Sequence, residues 1–202
     1  MKIIYKGFFR DNSQLPKGVL PENAVKIRAP ESVPKQIAVS VVTFIPAGLI
    51  IAVFVMGSYL LHGDLSAVGF NGWGLAWYFM ICIPHELLHA VCFGKGAEVE
   101  LFALPPAWFI YCTKPLSKGR FIYMCMLPNL VFGWIPLLVW MLLPYHGVVS
   151  HLLFTASVFG ILLGGGDYMN VFHTLQQQPK GSMQQLSGVN SYWFMPEKDR
   201  YR

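Results

Sequence analysis

Four long apolar stretches alternate with polar segments along the chain, over residues 37–61, 73–93, 121–144 and 148–172. A hydrocarbon layer about 30 Å thick takes about 20 apolar residues in a helix, so each stretch is long enough to cross one. Between the second and third stretches, residues 97–104 and 107–113 alternate loosely, are rich in aromatic and β-prone side chains, and are split by Pro105 and Pro106. That pattern predicts a short β-hairpin, the alternative being a loop that packs its aromatics into headgroups. The expected fold is an all-α membrane protein of about four transmembrane helices, with one hairpin-like cytoplasmic loop between helices two and three. Residues 1–36, punctuated by prolines at 16, 21, 30 and 34, read as an extended N-terminal arm. Residues 37–172 form the membrane domain. Residues 173–202 form a tail that is polar as far as Tyr192, Trp193 and Phe194, aromatics suited to the headgroup layer.

Composition supports this reading. Hydrophobic residues make up 54% of the chain and charged ones 12%, against about 25% charged in an ordinary soluble domain. The net charge of +5 gains meaning from its placement. Of fifteen Lys and Arg, the arm holds seven, the loop between the second and third stretches four, and the tail four. The two remaining loops hold none, and the positive-inside rule then puts both termini in the cytoplasm. The basic balance is thus a matter of topology, and nucleic acid is not an expected partner. The expected partners are the lipid bilayer and a transmembrane or membrane-associated protein substrate. The first 37 residues carry seven basic and three acidic side chains and no apolar core, so no cleaved signal peptide is expected. Cys82, Cys92 and Cys125 fall in apolar stretches and Cys112 in the loop, with no CxxC pair, so no disulfide framework is implied.

The chemistry lies in the second stretch, at His85-Glu86-Leu87-Leu88-His89. Residues four apart share a helix face, so the two histidines can grip one metal ion, and Glu86 beside them can act as the base for a water. The competing reading is a chance match whose histidines satisfy each other or a headgroup. The expense of three ionisable groups inside a bilayer favours function. A catalytic zinc takes three protein ligands. An extended motif would need Gly at 92 and His at 95, where Cys92 and Lys95 stand, and Glu98 and Glu100 follow too closely to return on a second helix. Asp167 in the fourth stretch is the best third ligand. His89 and Asp167 lie at matching depth, each about five residues, or about 7 Å at helical rise, from the cytoplasmic end of its stretch. Asp167 also reads as a helix cap after Gly164-Gly165-Gly166, although inside a bilayer such glycines let helices approach closely. Asn170, three residues on, either orients that carboxylate or a substrate carbonyl, or makes an interhelical hydrogen bond. Asn129, behind Pro128 in the third stretch, is either an oxyanion donor or, the better reading, a packing hydrogen bond. His62, His146 and His151 fall on the outer side, and His173 at the inner boundary.

An intramembrane His85-Glu86-x-x-His89 with an Asp167 in a later span resembles the site-2 protease group of intramembrane metalloproteases. More closely, the small size and the Gly165-Gly166-Asp167-x-x-Asn170 run resemble a bacterial family of small membrane proteins known as putative zincin peptidases. The resemblance implies Zn2+ held by His85, His89 and Asp167, Glu86 as general base, and residence in a prokaryotic plasma membrane. Site-2 proteases usually carry an Asp-Gly pair at the third ligand, whereas Tyr168 follows Asp167 here. The expected function is a zinc-dependent intramembrane peptidase, a hydrolase cutting a peptide bond near the cytoplasmic face. The alternative is a non-catalytic membrane protein that binds metal or assists assembly on the same fold. Glu86 separates the two, since a binding-only site has no need of a carboxylate there.

Overall fold

The all-α expectation is overturned by two β-sheets. The computed structural model describes residues 1–30 and 33–196, and among these the chain is mixed α/β. Strands β1 (Lys2–Phe8) and β2 (Val25–Lys26) precede helices α1 (Val33–His62) and α2 (Gly72–Val91). Strands β3 (Glu98–Leu104), β4 (Ala107–Tyr111) and β5 (Leu116–Ser117) lead into α3 (Lys118–Asn129), which runs through one π-helical turn, Leu130–Trp134, into α4 (Ile135–Leu142). Helices α5 (Val148–Leu163) and α6 (Gly165–Gln177) then precede strands β6 (Met183–Ser187) and β7 (Asn190–Phe194). The β3–β4 hairpin is the one that the sequence pattern predicts. Strands β6 and β7 also pair locally, across Gly188-Val189, within the segment expected to be a polar tail, whereas β1, β2 and β5 pair with segments far away in sequence, which periodicity cannot reveal.

Two compact units result, one of Met1–Pro30, Glu86–Cys125 and Asn170–Arg202, the other of Glu31–His85 and Met126–Met169. The first unit holds both sheets. In one, ordered β1-β3-β4, β1 lies parallel to β3 and β3 antiparallel to β4. Phe102 is fully buried there, stacked on Phe109 across the hairpin at 5.1 Å, with Phe9 edge-on to both rings. In the other sheet, ordered β2-β7-β6-β5, every pairing is antiparallel. Residues 1–30 thus supply strands to both sheets. The hydroxyl of buried Tyr111 sits between the carbonyls of Pro16 and Gly188, at 3.0 and 2.9 Å. A polar cluster joins α6 to β6 and β7: Thr174 Oγ1 donates to Gln184 Oε1 at 3.0 Å, and Gln184 Nε2 donates to Ser191 Oγ at 2.7 Å.

The second unit is helical. Its core gathers Leu137, Trp140 and Ile161, each at most 1% exposed, with Ala47 and Ala67. Trp140 Nε1 donates to the Ala67 carbonyl at 3.1 Å, so the indole buries its apolar bulk without stranding its donor. Helix α5 meets the π-helical turn at glycines. A side chain at Gly133 would lie 2.6 Å from Ile161, and one at Gly160 would overlap the Phe132 carbonyl. Among the described residues, two helices are long and apolar enough to cross a membrane, Phe44–His62 and Lys118–Leu142, and α5 with α6 makes a third if this pair, bent by 45°, is one span. Helix α2 has the length but is not among them; His85, Glu86 and His89 dilute its apolar character.

Candidate metal centre

Helix α2 is the platform. It runs unbroken through Pro84 and carries His85 and His89 one turn apart, both buried, at 3% and 6% exposure. His89 Nδ1 lies 2.9 Å from the Met124 carbonyl. Only an N–H can satisfy a carbonyl, so Nδ1 carries the hydrogen and Nε2 keeps the lone pair that a metal needs. His85 Nε2 lies 3.2 Å from Asp167 Oδ2. One ligand atom each from His85, His89 and Asp167 falls within 4.8 Å of the others. Metal–ligand bonds of about 2.0–2.2 Å in a tetrahedron put neighbouring donor atoms about 3.3 Å apart. The His85–Asp167 spacing already matches that edge. Two neutral imidazoles and one carboxylate leave one position open, which is the donor set of a catalytic zinc site.

Asp167 is held from several sides. Helices α5 and α6 break at Gly164, so Asp167 falls in the first turn of α6. There the free backbone N–H groups and the helix dipole favour a carboxylate. Asn129 Nδ2 donates to Asp167 Oδ2 at 3.0 Å, and Asn129 is completely buried at the end of α3. A side chain at Gly164 would overlap Asn129 Oδ1, so this glycine makes the approach possible. Tyr168 fixes the same turn, since Trp134 Nε1 donates to its hydroxyl at 3.1 Å and Phe44 packs edge-on to its ring.

Glu86 is half-buried next to His85, and its Oε2 accepts from the Ile110 N–H at 3.1 Å. Strand β4 is an edge of its sheet. The Ile110 amide therefore turns away from β3 and orients the carboxylate instead. Of the other residues singled out in the sequence, Asn129 reaches Asp167, whereas Asn170 is exposed and its side chain makes no hydrogen bond among the described residues. His62 and His151 satisfy backbone carbonyls, at Met141 (3.1 Å) and Ser66 (2.8 Å). The Met124 carbonyl and the Ile110 amide could not be read from residue type, because every residue but proline offers both groups. Gly164 did leave a trace, in the glycine run.

Residues 78–183 match the profile of a family described as putative zincin peptidase. The match covers just over half of the chain and includes His85, Glu86, His89, Asn129, Asp167 and Asn170. No curated protein and no solved structure matches the chain.

Proposed function

This chain belongs to the putative zincin peptidase family, and from that premise we propose that it is a zinc-dependent peptidase acting within a membrane, near its cytoplasmic face. The observation that carries the reading is the convergence of His85, His89 and Asp167, with Glu86 one residue from the first ligand on the same helix. These three residues would hold the metal. Zinc bound there supplies Lewis acidity to a water and to the scissile carbonyl. Glu86, oriented by the Ile110 amide, takes the proton from the water that attacks the peptide carbon, then passes it to the departing amine nitrogen. Asn129 keeps Asp167 in place throughout.

The apolar surface supports the membrane half of the proposal. In α1, Val42, Ile45, Leu49, Val53, Met56 and Leu60 form an exposed stripe at helical spacing. Water does not tolerate a stripe of that length without a partner, and lipid does. A membrane-spanning substrate hides its carbonyls in its own helix and must unwind before one can react. The outer edge of β4 offers the unwound stretch main-chain pairing beside Glu86.

The test uses detergent-purified protein and a cleavable membrane substrate. The parent should hold about one zinc per chain, and His85→Ala should lose it. Glu86→Gln should keep the metal while turnover falls by about two to four orders of magnitude. Equal cleavage by Glu86→Gln and the parent would leave the metal binding intact and sink the catalytic reading.

A further inference from the structure

Outside the ligand group, the arm and the tail build a second polar site. Lys26, Arg28, His173, Gln176, Gln177 and Trp193 border an open pocket of about 420 Å³ within the first unit. Lys26 closes β2 and Arg28 follows two residues on. Lys26 pairs opposite Tyr192, and the Ile27 N–H donates to the Ser191 carbonyl at 2.8 Å. Side chains alternate along extended backbone, so Ile27 turns inward, 6% exposed, while Lys26 and Arg28 on either side of it share the opposite face. Gln177 clamps the backbone here, accepting from the Arg28 N–H and donating to the Arg28 carbonyl, both at 2.8 Å. The clamp uses none of the guanidinium, so the five donors of that group stay available.

Among the described residues, the lysine–carboxylate pairs of this unit are Lys2–Glu98 and Lys6–Glu100; neither Lys26 nor Arg28 has one, and no carboxylate borders the pocket. His173 Nε2 is buried and, among the described residues, has no hydrogen-bond partner, while Nδ1 faces the Gln177 amide at 3.5 Å. A lysine, an arginine and a histidine around one hollow that no carboxylate borders call for a compact anion with several acceptor oxygens, which describes a phosphate group. Position along the chain indicates its source: Arg28 lies five residues before α1, whose apolar stripe the proposed function gives to lipid, and His173 four before the end of α6. Trp193 is of the residue type that favours the headgroup layer.

We propose that this pocket binds a phosphate-bearing anion, supplied by the headgroup of an anionic phospholipid. The site is separate from the zinc chemistry, and Glu86→Gln should bind the anion as the parent does. The full chain in detergent is titrated with phosphatidylglycerol, phosphatidylcholine and inorganic phosphate, and bound molecules are counted by native mass spectrometry. Phosphatidylglycerol should bind at least tenfold more tightly than phosphatidylcholine. Lys26→Gln/Arg28→Gln should weaken it by roughly tenfold to thirtyfold, as expected for two cations at a headgroup. Lys17→Gln/Lys180→Gln, which removes the same charge elsewhere on the exposed surface, should stay within about twofold of the parent. His173→Asn provides the same comparison at a single position should the double variant not fold. Tight binding of inorganic phosphate with no preference among lipids overturns the lipid source. Equal losses in the two charge variants, or weak binding of both phosphatidylglycerol and inorganic phosphate, overturn the site.

Discussion

Gly164 has no side chain because Asn129 occupies the space where one would go. That makes the supporting shell of Asp167 unusually testable. Gly164→Ala must push Asn129 away, and the Asn129–Asp167 hydrogen bond goes with it. Zinc affinity should fall by about ten- to a hundredfold, the range for losing an orienting partner, and overpacking should lower stability by about 1–3 kcal/mol. Competition with a zinc chelator and a thermal melt read the two effects separately. Asn129→Ala should reproduce the first effect, and Asp167→Ala should exceed both. His173→Ala should leave zinc bound; loss of zinc there, with retention in Asp167→Ala, would mean that the third ligand was misassigned. At this scale the sequence was most legible where chemistry is rare: His85, Glu86, His89 and Asp167 are ionisable groups in apolar surroundings. It was less so for the two asparagines. Asn170 sits three residues from Asp167, about 60° off its helix flank, and ends up exposed, whereas Asn129 reaches the carboxylate from another helix.

At the level of elements, the β3–β4 hairpin was visible because alternation and Pro105-Pro106 mark it. Strand β1 was not, since its lysines disguise it as part of a basic arm and its parallel partner β3 lies more than ninety residues away. Strands β2 and β5, two residues each, are too short for any period to show. Within the hairpin, the Ile110 amide does work that its side chain does not. Ile110→Pro removes that donor at an edge position, where proline is otherwise tolerated. Turnover should drop while zinc stays bound; an unchanged rate would show that Glu86 does not need the amide. Tyr111, one residue on, supplies a pH handle. Burial pushes its phenol up to about 12, above the value of about 10 in an unfolded chain. Its contribution to stability is therefore complete below about pH 10 and is lost as pH rises from there toward 12. Tyr111→Phe should flatten alkaline unfolding in that window, at the expense of the hydroxyl's bond to Pro16 or Gly188.

Strand pairing also constrains the whole molecule. Strand β1 pairs with β3, β5 with β6, and β2 with β7, so the arm, the segment between α2 and α3, and the tail are laced into one unit. Backbone ladders cannot pass through a bilayer, so in a membrane all three segments must lie on one side. The chain must then cross an even number of times between β2 and β3, and again between β5 and β6. If α1 crosses, α2 must cross back, although its ionisable residues keep it below the apolar threshold that α1 meets. By the same parity, if the α3–α4 rod crosses, α5 and α6 must act together as one bent return span. The basic residues, seven in the arm, four in the loop and four in the tail, are the ground for expecting that side to be the cytoplasmic one. The expected outcome is specific. Substituted cysteines at Leu65 and at Tyr145 should react with an impermeant thiol reagent from outside intact cells, and cysteines at Lys17 and Lys180 should react only after lysis. Labelling at Tyr145 from the inside alone would break the second pair of crossings and with it the placement of Asp167 near the cytoplasmic face.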